Sequence, residues 1–338
     1  INAPTTMPGP VKTRATLFAD VAAEFPEKQG VALTFKQWLL FGKMFIFFYK
    51  NGIVNVYKNG KAARQILSGL YVSKIDEQGK DVKVRVPRNV TKLDKELMNT
   101  IYLKNIEHDV KLRAEGQASE VMSSEQVSVL NISRSQYQLL HRTRKDYPKL
   151  PAFALAFIIF EEFLPLVCYF VPEMSPTTCV LPMIFPRLMK SSIKATEKLA
   201  TLPEDIERGV ERISRNTPYT LPVEELHLLV RSLNLVTKYL PLSVFPETYL
   251  RDKLSQYHTY ISIDNHLIQA NGGIHQLSTV ELIKACTDRT LIDFSAQRYA
   301  DLVSITDKND LQLQILRVKL AVFMTDLPQN QVGYLGTN

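Results

Sequence analysis

Two stretches break the ordinary alternation of apolar and polar positions in this chain. The longer, Leu150–Val171, reads LPAFALAFIIFEEFLPLVCYFV, and its only charges are Glu161 and Glu162. At about 1.5 Å rise per residue it reaches roughly 33 Å, enough for a hydrocarbon core of about 30 Å. The two carboxylates near its middle are costly in lipid, and Pro151 and Pro165 favour breaks or kinks. Two readings stand: an imperfect transmembrane helix, or the central helix of a soluble bundle. The other stretch runs from Trp38 to Tyr49, and no acid occurs between Lys28 and Lys74. Lys36, Lys43 and Lys50 recur every seven residues and form one basic stripe, joined by Lys58 and Lys61. This apolar run is shorter than the roughly 20 residues a span takes, so the pattern predicts an amphipathic helix lying at a membrane interface. The alternative is a buried core helix with snorkelling lysines. Gly42, Gly52 and Gly60 argue against one unbroken helix.

Elsewhere the pattern is that of soluble helices. Residues 73–130 alternate lysines with acids, carry a short strand-like Val82–Val86, and end in the small, polar Ala114–Ser128. They read as a variable, partly flexible insertion. Ile132–Lys149 is basic, with Arg134, His141, Arg142, Arg144, Lys145 and Lys149. Pro172, Pro176 and Pro182 predict a rigid extended link. Lys190, Lys194 and Lys198 then share one helix face. Two later segments resemble each other. Leu226, Leu229, Val230 and Leu233 form an i, i+3, i+4, i+7 stripe after Pro222. In the second copy Ser278 and Glu281 form a capping box, with Leu277 and Leu282 as its hydrophobic staple. Each is followed by a loop and a second amphipathic helix, with Leu250, Leu254 and Tyr257 in one and Leu313, Leu316, Leu320 and Phe323 in the other. The layout is similar to SAP-type nucleic-acid-binding modules, but plain helical-hairpin packing is the better account of the leucines themselves. Gly272-Gly273 marks a helix end.

Composition changes this picture little. The chain has 338 residues, 45% hydrophobic and 22% charged, with a net charge of +7. The excess favours acidic partners, nucleic acid or anionic lipid, without choosing between them. The chain begins at Ile1, which suggests a processed chain or a fragment, and residues 1–32 read as a Pro-rich N-terminal arm from which any targeting segment has been removed. Cys168, Cys179 and Cys286 form no CxxC pair and suggest a reducing compartment. No histidine or cysteine falls in a zinc pattern, and no phosphate loop, nucleophile elbow or calcium loop occurs. Adjacent carboxylates such as Glu161–Glu162 face different sides of a helix and make no catalytic dyad. No enzyme activity, cofactor or metal is expected.

Several motifs resemble those of the LETM-like family in the same order. Ile132–Asp146 resembles its basic helix. Leu150 to Pro165, with Glu161 four residues before that proline, resembles its membrane segment. Phe170 to Thr178, with Pro172 and Pro176, is similar to its link. The resemblance covers residues 33–72 and 131–330, departs from the family in lacking an EF-hand and a leucine zipper, and has Glu173 where the family has Asn. It implies an all-α protein with one transmembrane helix followed by a helical, fourteen-three-three-like ribosome-binding domain. The implied divisions are an arm at 1–32, a basic amphipathic helix at 33–72, an insertion at 73–130, a basic helix and membrane segment at 131–180, and the ribosome-binding domain at 181–330. It further implies a mitochondrial inner-membrane location, a C-terminal domain facing the matrix, and binding to mitoribosomes in support of translation or membrane insertion of mitochondrial products. A role in potassium–proton exchange, with Glu161 as the titrating group, is the alternative. Lys36, Lys43, Lys50, Arg142, Arg144, Lys145, Lys190 and Lys194 are the expected contacts to ribosomal RNA or membrane lipid.

Overall fold

The computed structural model describes residues 1–27, 29–75, 81–85, 89–114, 132–201, 214–329 and 331–336. Twelve α-helices lie among them, joined by short 3-10 turns: α1 (Arg14–Glu24), α2 (Gly30–Gly69), α3 (Val90–Ala114), α4 (Arg134–Asp146), α5 (Leu150–Phe160), α6 (Leu164–Phe170), α7 (Phe185–Ala200), α8 (Val223–Ser232), α9 (Glu247–Ala270), α10 (Thr279–Asp288), α11 (Tyr299–Ser304) and α12 (Leu311–Asp326). The exception is a small antiparallel hairpin, β1 (Tyr71–Ile75) with β2 (Asp81–Arg85), in which Ser73 lies opposite Lys83. The class is therefore the expected one, mostly helical with one helix long and apolar enough to cross a membrane, although that helix is not the expected one.

The helix in question is α2. It is one continuous helix of 40 residues, roughly 60 Å at about 1.5 Å per residue. The glycines do not interrupt it as expected. Gly52, Val56, Asn59, Gly60 and Ala63 are all buried and share one face, so the two glycines mark close approaches rather than breaks. A Cβ on Gly52 would stand 2.5 Å from Cys179 Sγ and 3.1 Å from the Thr178 carbonyl oxygen, and one on Gly60 would strike the Tyr147 ring.

The expected continuous span over Leu150–Val171 is broken. Helix α5 ends at Phe160, Glu161 takes a positive φ of 38°, a 3-10 turn covers Glu161–Phe163, and α6 restarts with Pro165 in its first turn. Eleven helical residues reach only about 16 Å, half of a hydrocarbon core. Pro165 lacks the N–H that a continuing helix would need, and at a helix start that loss is free.

The chain forms two compact units interleaved in sequence. Unit 1 comprises residues 1–3, 64–140 and 189–338, and unit 2 comprises 4–63 and 141–188. In unit 2, Phe48 and Tyr49 of α2 pack with Phe153, Leu164, Cys168, Cys179 and Leu181. In unit 1 the core includes the leucines expected from the near-repeat: Leu226, Leu229, Val230, Leu250, Leu254, Leu313, Leu316 and Leu320 are all buried. Ser278 caps α10, accepting from the Glu281 N–H at 3.4 Å. Gly272 and Gly273 follow α9 with φ of 98° and 80°, as the predicted helix end requires. The insertion holds a helix that the sequence reading missed. In α3, Val90, Leu93 and Leu97 are buried at helical spacing, and Asn89 caps the start by accepting from the Thr91 N–H at 2.9 Å. The expected flexible part of the insertion, residues 115–128, lies outside the described residues.

Candidate functional site

Unit 2 exposes two apolar faces. Of the most apolar stretch of α2, only 6% is buried within the protein. Phe35 is 70% exposed, and Val31, Trp38, Leu39 and Phe47 are exposed with it. Helix α1 covers part of this end: Phe18 meets Trp38 edge-on with ring centroids 5.6 Å apart, and the Arg14 guanidinium lies 4.9 Å from the Trp38 ring. The second apolar face belongs to α5 and α6. Their inner sides bury Phe153, Ala156, Leu164 and Cys168, while the outer sides carry Leu155, Ile158, Ile159, Phe163, Leu166 and Phe170. Ile158 and Phe163 are each 69% exposed. A run of exposed apolar side chains this long marks a lipid or protein contact rather than a water-facing surface.

The two ends of this apolar excursion are tied to each other. Lys149, just before α5, donates from Nζ to the Ser175 carbonyl at 3.2 Å, four residues after Val171. Thr177 Oγ1 donates to Asp146 Oδ1 at 3.0 Å. Burial pushes the Asp146 carboxyl above its usual range, against the lowering effect of the Thr177 hydrogen bonds and of Lys149 and Lys145. Thr178 Oγ1 donates to the Gly52 carbonyl at 3.1 Å, which fixes the returning chain on α2. Pro172 opens one 3-10 turn of this return segment and Pro176 immediately precedes the next, and both are buried. The expected extended link is therefore a compact one.

The expected contact residues separate into two kinds. Lys43, Lys50, Arg144, Lys145, Lys190 and Lys194 are exposed, and Lys36 is half-buried with its ammonium 4.8 Å from the Phe25 ring. Arg142 is not a surface contact: it is buried and donates to Thr6 Oγ1 at 2.9 Å. A guanidinium on the inner side of α4 is held by partners distant in sequence, which its basic neighbours conceal. Glu161 is exposed at the bend between α5 and α6, and the side chain of Glu162 lies outside the described residues.

Unit 1 holds a buried polar network that sequence reasoning missed. Arg134 Nε donates to Asp264 Oδ1 at 2.7 Å, and its NH1 reaches Glu281 Oε2 at 3.3 Å and the Ile1 carbonyl at 3.0 Å. Arg289 NH2 donates to Asp264 Oδ2 at 2.8 Å, and Gln138 Nε2 to Asp264 Oδ1 at 2.7 Å. All five side chains are buried. Burial opposes the charge on Asp264, but Arg134 and Arg289 outweigh it and hold the carboxyl far below the usual range. The carboxylate of Glu281 is turned to Arg134 and to the Ala3 N–H at 2.9 Å, so only the Ser278 half of the expected capping box forms. Two arginines face two acids, so the cluster balances its charge and ties α4, α9, α10 and the N-terminus together. Unit 1 also has a cavity of about 310 Å³ lined by residues including Met189, Ile193, Glu197, Thr290, Phe294 and Lys319, near the small end for a ligand site. Among the described residues no group of three or more His, Cys, Asp or Glu side chains could hold a metal ion.

Comparison with known proteins identifies a family for the chain. The family model of the pentamidine resistance factor domain matches residues 2–271. A curated relative from Saccharomyces cerevisiae, "Pentamidine resistance factor, mitochondrial", is 26% identical over 205 residues, covering 56% of this chain and 47% of its own length. The chain thus spans about half the length of the curated relative it matches. No solved structure matches. The LETM-like resemblance is overturned by the family match, which runs through the segments that carried it. Those motifs have structural causes of their own: Pro165 opens a helix, Pro172 opens a 3-10 turn, and Arg134 neutralises buried acids distant in sequence.

Proposed function

The chain belongs to the family of pentamidine resistance factor domains, and from that premise we propose that it is a non-enzymatic protein of the mitochondrial inner membrane that supports membrane insertion of mitochondrial products. The observation that carries this reading is the exposed apolar surface of unit 2, on α2 and on the α5–α6 pair together. Full burial of one such side chain is worth about 1.5–3 kcal/mol. Several of them together outweigh the roughly 2.5–3.5 kcal/mol that each of the two carboxylates, Glu161 and Glu162, costs at a bilayer centre. The mitochondrial location is supported by the name of the yeast relative. A matrix-facing C-terminal region is part of the same proposal.

The test follows mitochondrially made proteins in cells lacking this chain. Pulse-labelled membrane products are expected to be synthesised at normal rates but to remain extractable by carbonate. Normal integration would sink the proposal, as would complete release of the chain itself by carbonate. Mitoribosome docking is a second reading, favoured by the exposed Lys190 and Lys194 on one face of α7. It predicts co-sedimentation that falls steeply with salt. No co-sedimentation at low salt rejects it. Exchange of potassium for protons through Glu161 and nucleic-acid binding by the near-repeat hairpins draw no comparable support, because the hairpin leucines are core residues.

A further inference from the structure

We infer that residues 150–174 form a re-entrant hairpin, which enters and leaves the membrane through one leaflet and docks its cationic base on anionic phospholipid headgroups. The inference rests on the membrane location proposed above and adds a topology to it.

A segment that spans a bilayer must leave its two ends some 30 Å apart. Here the ends meet. Lys149 and Ser175 are joined at 3.2 Å, and Asp146 and Thr177 at 3.0 Å, so both sit on the same side of whatever α5 and α6 enter. Each arm is too short to cross, at 11 and 7 residues, and the bend at Glu161 turns the second back along the first. The core made with Phe45, Phe48 and Tyr49 covers only the inner side, which leaves Leu155, Ile158, Ile159, Phe163, Leu166 and Phe170 facing outward.

Charge selects the occupant of that face. At the pinned base stand Arg144 and Lys145, exposed in the last turn of α4, with Lys149 beside them. Arg187 joins them from the other flank, its guanidinium stacked 3.3 Å from the centre of the Tyr169 ring. A cationic, aromatic base beside an apolar face is the arrangement that an anionic lipid surface recognises, through headgroup phosphates at the base and acyl chains on the face. An apolar protein partner would match the face but would leave the base unused.

The full chain, reconstituted in vesicles containing an anionic phospholipid, supplies the test. Its natural cysteines Cys168, Cys179 and Cys286 are all buried, so the unsubstituted chain gives the background. Cysteines are introduced singly at Pro148→Cys and Met183→Cys, exposed on either flank, and at Ile159→Cys near the bend. A membrane-impermeant maleimide is expected to reach positions 148 and 183 from the same vesicle face. A fluorophore at position 159 is expected to be quenched by lipids brominated on their acyl chains. Labelling of 148 and 183 from opposite faces overturns the hairpin while leaving membrane attachment standing. Protection of position 159 without lipid quenching assigns the face to a protein partner or a second copy, and overturns the proposal. Equal binding to vesicles without anionic lipid overturns the headgroup contact. A chain that binds no vesicle of either kind overturns both this inference and the reading it rests on.

Discussion

At the scale of single residues, Arg134 is held by two buried acids. It lies fully buried between Asp264 and Glu281, with Arg289 completing the balance. Removing one partner of a buried pair leaves an uncompensated charge, so Arg134→Ala is expected to cost about 3–5 kcal/mol. Denaturant unfolding of the solubilised chain measures it, and a change under about 1 kcal/mol would show that the network is not structural. Asp264 also sets a pH dependence. Its folded pKa lies below the unfolded value of about 3.9, so its contribution is present in full above that pH and is lost as pH falls toward the folded value. Asp264→Asn is therefore expected to lower stability at neutral pH and to flatten the loss below about pH 4 relative to the unsubstituted chain. An acid limb of unchanged slope would place the sensitivity elsewhere.

The element whose design is most exposed to substitution is α2. Gly52 and Gly60 lie where other segments of unit 2 come closest, with Gly60 facing the Tyr147 ring. Gly60→Ala offers the helix a better intrinsic former by about 1 kcal/mol, yet the added methyl must displace a ring, which costs about 1–3 kcal/mol. Net destabilisation is expected from a thermal melt of the detergent-solubilised chain, whereas Gly42→Ala, with open space around it, is expected to be neutral or stabilising. The opposite ranking would mean that the buried stripe of α2 is not a packing seam. For α5 and α6 the exposed side is the sensitive one. Ile158→Asp with Phe163→Asp changes no core contact, so helical content by circular dichroism is expected to stay constant while vesicle flotation drops. Unaltered flotation would free this face from any membrane role.

On the scale of the whole molecule, the two units draw on distant parts of the chain. The family match ends at residue 271, but Glu281 and Arg289, which neutralise Arg134 and Asp264, come later. Truncation after Asn271 is therefore expected to leave the remaining helices of unit 1 without a cooperative fold. Limited proteolysis reads this directly: rapid cleavage within α9 is the expected result, and a protease-resistant fragment ending at residue 271 would show that the matched region folds by itself.

The sequence by itself determined what depends on near neighbours. Helix class, the Ser278 cap, the Gly272-Gly273 terminus and the buried leucines of the near-repeat all follow from contacts within a few residues, where periodicity and capping chemistry act. The apolar content of both exposed stretches was legible for the same reason. Only tertiary structure decided how they are used. Leu150–Val171 has the length of a span, and its return is fixed by hydrogen bonds across 26 and 31 residues that no local pattern encodes. Arg134 stands unremarked in a basic run, and Arg142 in the same run reads as a surface cation because its neighbours are basic. Their partners lie 130 and 136 residues away, and a buried charge is stable only where the fold delivers the opposite charge or acceptor to it.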